Sequence, residues 1–168
     1  MLPFILLAIG IAARLITHEP NFTPTIALVL FGGVYLNKRY AVLLPVMLMM
    51  LTDLFLGAHN TILFTWGSLI AIAFIGLAMR NRKNAATIAG SSMLAAVVFF
   101  IVSNFGVWAV GWYPYTLEGF ISCYVAAIPF FRSTVASTLF YSCVFFGLYE
   151  IIAYRVRDTR LARVLLTT

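Results

Sequence analysis

The sequence predicts an all-α, polytopic membrane helix bundle, with about six transmembrane helices and one interfacial or re-entrant segment in a single integral membrane domain over residues 1–168. Three observations carry that expectation. Hydrophobic residues make up 63% of the chain and charged residues only 10%, with a mean hydropathy of +1.03, whereas a soluble domain is about a quarter charged. Nine of the eleven Lys and Arg fall in three clumps: Lys38 and Arg39; Arg80, Arg82 and Lys83; Arg155, Arg157, Arg160 and Arg163. The apolar runs between them show no strand alternation, and a sheet with open edges leaves backbone groups unsatisfied in lipid.

The elements follow in order. Met1–Ile11 is apolar, no basic residue precedes it and no small-residue cleavage pattern follows, so a retained first span over Leu2–Ile16 is expected rather than a removed signal peptide. The second span is expected over Pro24–Leu36. Both are short against the roughly 20 residues that a bilayer core requires. The third is expected over Tyr40–Leu56, the fourth over Ile62–Met79, the fifth over Ala85–Val110 and the sixth over Ser133–Tyr154. Leu117–Phe131 is apolar but holds Glu118 and Pro129. As a full span it would put the last arginines on the side opposite the other two clumps. The excess of Lys and Arg on the cytoplasmic side therefore makes it interfacial or re-entrant, with both termini cytoplasmic.

Charge and motif content exclude several classes. The net charge of +6 borders apolar spans, so it reads as a topology signal and not as a nucleic-acid footprint. Cys123 and Cys143 are far apart and form no C-x-x-C pair, so no structural zinc site is expected. The chain has no Walker motif, no H-E-x-x-H and no G-x-S-x-G turn. His18 and His59 with Asp53 or Glu19 could hold a metal that activates water, which leaves a metal-dependent membrane enzyme as an alternative. The expectation is no enzyme, no catalytic residue and no cofactor. Ala8 and Ala12 form a small-x-x-x-small pair on the first helix, joined by Gly10 and Ala13. Ala86, Gly90, Ser91 and Ala95 form a second small face. Such faces serve internal packing or a partner membrane subunit. The basic tail from Arg155 to Arg163 fits an anchor at an anionic leaflet.

With the termini inside, most remaining polar residues gather at the outer helix ends. Arg14, His18, Glu19, Asn21 and Thr23 occupy the first outer turn. Asp53, His59, Asn60 and Thr61 occupy the second. Asn104, Trp108, Trp112, Tyr113, Tyr115 and Glu118 follow in the third, which ends at Arg132. Ionisable groups in spans are expensive and tend to face an interior or a wet cavity, so these loops are expected to form a pocket for a small solute. Asn21, Asp53, His59, Asn104, Trp108 and Arg132 are its candidate contacts. Arg14 is expected to pair with Asp53, with His18 nearby. Tyr113, Glu118 and Tyr124 belong to a segment expected to act as a lid. The alternative divides the same residues among an aromatic belt, arginines snorkelling to headgroups and an Asp53 that neutralises one of them.

Four stretches carry a resemblance. They are Arg14 through H-E-P-N-F-T-P to F-G-G at Phe31–Gly33, T-D-L-F-L-G-A-H at Thr52–His59, S-N-F-G-V-W at Ser103–Trp108 and C-Y-V-A-A-I-P-F-F-R at Cys123–Arg132. Together they resemble an uncharacterised family of small bacterial membrane proteins described as transport proteins. More distantly, the architecture is similar to the substrate-binding S component of energy-coupling factor (ECF) vitamin transporters. That resemblance implies a bacterial inner-membrane protein in a lipid bilayer, with an outward pocket for a micronutrient or vitamin and an ATPase coupling module as partner. It also implies a partner-helix contact at Ala8 and Ala12, whose spacing matches the A-x-x-x-A motif of those components. A second class stays open: an accessory or structural subunit that binds a protein or lipid.

Overall fold

The computed structural model describes residues 1–16, 21–43, 47, 53, 60–159 and 161–166, with side-chain surroundings for all of these except positions 2, 7, 10, 14, 15, 164 and 165. Among the described residues every regular element is a helix. They are α1 (Leu2–Ile16), α2 (Thr25–Tyr35), α3 (Ile62–Met79), α4 (Ala85–Ala109), α5 (Leu117–Val156) and the short α6 (Leu161–Leu165). Of the expected third span, Tyr40–Leu56, most lies outside the described residues; positions 38–43, 47 and 53 are helical. Three helices, α3, α4 and α5, are long and apolar enough to cross a membrane, against the six spans expected. α1 and α2 are apolar but have only 15 and 11 residues.

The sequence explains the arrangement. Every residue of α2 is buried, and a helix that is apolar on all sides belongs in a core. α2 packs against α1, α3, α4 and α5. Its crossing with α3 brings backbones together at Gly33 and Gly76: a Cβ on Gly33 would lie 2.7 Å from the Ala73 carbonyl oxygen and 2.8 Å from the Gly76 Cα. Small residues allow this approach where apolar side chains gain little by leaving lipid. α4 begins at Asn84, whose Oδ1 accepts from the Thr87 N–H at 2.8 Å, the usual service of an N-cap. α5 begins at Thr116, whose Oγ1 accepts from the Gly119 N–H at 3.1 Å.

α5 corrects the expected division of the chain. Leu117–Phe131 is not a separate interfacial or re-entrant segment; it is continuous with Ser133–Tyr154 in one helix of 40 residues that includes Pro129. A proline within a helix removes one hydrogen bond and costs about 3 kcal/mol. Packing against α4 on both sides of the proline offsets that cost. Tyr124 Oη donates to the Ile101 carbonyl at 2.7 Å before it, and the Phe131 ring lies 4.6 Å from that of Phe100 after it. At about 1.5 Å per residue the helix is about 60 Å long, twice a hydrocarbon core of about 30 Å.

The basic clumps meet at one end of the bundle. Arg80 follows α3, and its Nε donates to the Gly33 carbonyl at 2.8 Å while Nη2 donates to that of Leu36. These are carbonyls at the C-terminus of α2, which a cation satisfies well. Burial lowers the Arg80 pKa from its ordinary value, yet a guanidinium stays charged in proteins. Lys83 lies 4.9 Å over the Tyr35 ring, and Tyr35 Oη donates to Glu150 Oε1 at 2.5 Å. The C-terminal ends of α2, α3 and α5 and the start of α4 therefore share this end. Phe4 on α1 packs edge-on against Tyr40, centroids 6.1 Å apart, which brings the start of α1 to the residues that follow α2.

Candidate functional site

The depth of the α1–α2 turn can be read along α5. Tyr35 meets α5 at position 150 and Asn21 meets it at position 137. Those thirteen residues correspond to about 20 Å of helix. From position 137 the helix continues back to Leu117, about 30 Å farther from the basic end. The turn before α2 thus ends near the middle of the long helix, beneath a rim made by α4 and the first half of α5.

That turn is irregular and polar. Asn21 has φ 58°, a left-handed conformation that asparagine tolerates better than most side chains. Its carbonyl accepts from Ser137 Oγ at 3.3 Å, and the hydroxyls of Thr23 and Thr25 lie 3.2 Å apart. Non-helical backbone at membrane depth persists only where protein buries it or where it lines a cavity. Here Asn21 is exposed, Phe22 and Thr23 are half-buried and Pro24 is buried, and the turn borders a cavity. A cleft of about 280 Å³ beside the turn is lined by Asn21, Thr65, Ser103, Asn104 and Thr134, and walled by Phe99, Phe100, Val107, Ala127, Phe130 and Phe131.

The hydrogen bonds of the lining give the cleft its chemical character. Ser103 Oγ donates to the Phe99 carbonyl at 2.6 Å and Asn104 Nδ2 to that of Phe100 at 2.8 Å. Thr65 Oγ1 donates to the Thr61 carbonyl at 3.2 Å and Thr134 Oγ1 to that of Phe130 at 3.0 Å. Each hydroxyl has one proton, and each proton is turned back into its own helix. What remains is acceptor capacity on three hydroxyl oxygens and the Asn104 carbonyl, together with the second Asn104 N–H and the Asn21 amide, which can both donate and accept. None of the residues that line the cleft is ionisable. Such groups set among phenylalanine faces suit a neutral or cationic solute with several hydrogen-bonding groups.

Of the residues expected to contact a solute, Asn21 and Asn104 line this cleft. Asp53 is half-buried and accepts from Trp66 Nε1 at 3.0 Å, one residue along α3 from Thr65. Its expected partner Arg14 has a side chain outside the described residues, and His18 and His59 lie wholly outside them. Among the described residues no three His, Cys, Asp or Glu gather as a metal site would need. Trp108 does not line the cleft: its Nε1 donates to the Pro114 carbonyl at 3.0 Å, and its ring packs on Phe105, Tyr115 and Phe120. Arg132 and Glu118 are exposed; Glu118 sits in the first turn of α5, where its charge suits the helix dipole. Tyr113 is half-buried in the α4–α5 turn. The segment expected as a lid is, from Leu117 on, the first two turns of α5, tied to α4 by Tyr124 and by Cys123 Sγ, which lies 3.4 Å from the Asn104 carbonyl oxygen. Ala8 and Ala12 are both exposed on α1.

Thr65, Ser103, Thr134 and the four phenylalanines were not among the expected contacts. A signal for part of this set exists in the sequence. Thr134, Ser137, Thr138 and Ser142 recur at helical spacing, and all four are buried.

Residues 1–161 match a family of unknown function, DUF6580, and the chain belongs to that family. No curated protein and no solved structure matches it.

Proposed function

We propose that this member of DUF6580 is a small-solute transport protein of the bacterial inner membrane, built like the substrate-binding S component of an ECF-type micronutrient or vitamin transporter. The carrying observation is the irregular turn at Asn21, part way along the bundle and beside a cleft of about 280 Å³ lined by polar residues. Interrupted helices at that depth are where transporters hold their solutes. The excess of Lys and Arg supports a cytoplasmic placement of the basic end and both termini, with the cleft toward the outer face. The solute class is a neutral or cationic molecule with several hydrogen-bonding groups, because the lining offers hydroxyls and amides and none of its residues is ionisable. With no nucleotide-binding motif in the chain, flux is either passive or driven by a partner, and the resemblance to S components favours an ATPase coupling module. The exposed Ala8 and Ala12 on α1 offer a helix of that module close approach.

The test is mass spectrometry of small molecules that copurify with the full chain in mild detergent. A solute with several hydrogen-bonding groups, at up to one per chain, is expected. Asn104→Leu removes an acceptor and should lower its retention about tenfold, as loss of one buried hydrogen-bonding partner does, with the yield of folded protein unchanged. Retention that ignores Asn104→Leu would refute the site. Copurification of a membrane partner without any solute would favour an accessory subunit, the reading that the exposed alanine pair also supports.

A further inference from the structure

We propose that the basic end carries a site for one anionic phospholipid, with its headgroup among Lys38, Arg80 and Lys83 and one acyl chain between α4 and α5. Two adjoining hollows make the argument. A polar cleft of about 490 Å³ is lined by Lys38, Arg80, Lys83 and Tyr149, among others. A groove of about 390 Å³ runs between α4 and α5 over Ile88, Ala89, Leu139, Cys143 and Phe146. Lys83 lines both, so a charge-lined mouth leads directly into an apolar trough. That is the shape of an amphiphile.

The chemistry of each part fits. At the floor of the groove Ser92 Oγ donates to Ser142 Oγ at 2.8 Å, and both serines are buried, so they present little polarity to a chain. A Cβ on Gly147, along the groove, would meet nothing within 4 Å, so the trough is open there. Glu150, which lines the groove, takes the hydroxyl of Tyr35, which lines the cleft. Arg80 is held in place by the carbonyls of Gly33 and Leu36, which fixes one positive charge without cost to the ligand. Three cations against one carboxylate favour an anionic head, and basic residues next to a span attract anionic lipids. Neither a bare anion nor an apolar helix would use both hollows.

Native mass spectrometry of the full chain in neutral detergent tests this with phosphatidylglycerol and phosphatidylcholine of identical acyl chains, and with inorganic phosphate as competitor. One phosphatidylglycerol per chain should be retained in preference to phosphatidylcholine, and inorganic phosphate should not displace it. Lys38→Gln and Lys83→Gln should each weaken that retention about fivefold, while Arg157→Gln, outside both hollows, should not. Ala89→Phe fills the trough with the charges intact and should lower retention of both lipids. Equal retention of the two lipids overturns the proposal, as does indifference to the lysine variants. Displacement by phosphate alone would reveal an anion site instead, and a dimer broken by Ala89→Phe would show a second copy in the groove; either result overturns it.

Discussion

Adding a single methyl group at the α2–α3 crossing tests whether the bundle depends on backbone contact. A Cβ on Gly33 would stand 2.8 Å from the Gly76 Cα, and one on Gly76 would stand 2.5 Å from the Leu30 carbonyl oxygen. Ordinary contact begins at 3.4 Å, so the helices must part by roughly 0.6–0.9 Å at this point, and overpacking of that kind costs about 1–3 kcal/mol. Gly67 on the same helix α3 has open space around its added Cβ. There the substitution should be neutral or stabilising by up to about 1 kcal/mol, since alanine is the better helix former. The same chemical change therefore has opposite signs nine positions apart. The assay is reversible unfolding of the detergent-solubilised chain, followed by tryptophan fluorescence. Gly33→Ala and Gly76→Ala should each lose stability, and the double variant should lose less than the sum, because helices already parted for one methyl accommodate the other. A Gly76→Ala protein as stable as Gly67→Ala, or strict additivity of the pair, would refute the close-contact reasoning.

Two further outcomes follow from the ends of α2. Arg80→Met leaves the Gly33 and Leu36 carbonyls without their cation and should destabilise by about 2–3 kcal/mol, whereas Arg82→Met, on an exposed side chain, should change little; equal thermal stability of the two variants would show that the α2 C-terminus does not need Arg80. Asn21→Gly should be tolerated because glycine adopts positive φ freely, while Asn21→Val should cost about 1–3 kcal/mol in the same unfolding assay, and a tolerated valine would mean that the left-handed turn is not a constraint.

Several features were legible because they follow from composition at helical resolution. α3 was expected over Ile62–Met79 and found there, since basic and polar residues bound an uninterrupted apolar run on both sides. α4 ends one residue from its expected limit. α5 has no break where the sequence argues for one: Pro129 and the side on which the last arginines fall favour a division, but aromatic packing on α4 carries the helix through. The site was half legible. Asn21 and Asn104 stand out as amides in apolar surroundings, and both line the cleft. Trp108 and Arg132 stand out equally in composition, yet Trp108 is spent on its own turn and Arg132 faces outward. Which face of a helix a residue takes depends on packing partners from distant segments, and periodicity within one segment does not supply them.

The depth of the cleft was also within reach of arithmetic on the sequence. α2 has 11 residues, about 16 Å of helix, and cannot cross a core of about 30 Å. If its C-terminus is held at the basic end by Arg80, its N-terminus has to end within the membrane. Asn21, Thr23 and the first turn of α2 then lie where water is scarce, and a polar group left unsatisfied there would cost several kcal/mol. Ser137 answers only the Asn21 carbonyl. The hydroxyls of Thr23 and Thr25 lie 3.2 Å apart, and Thr65, Ser103, Asn104 and Thr134 are assembled beside that spot from three different helices. A short central helix thus creates a demand for polar company deep in the bundle, and the polar side chains of α3, α4 and α5 around the cleft supply it.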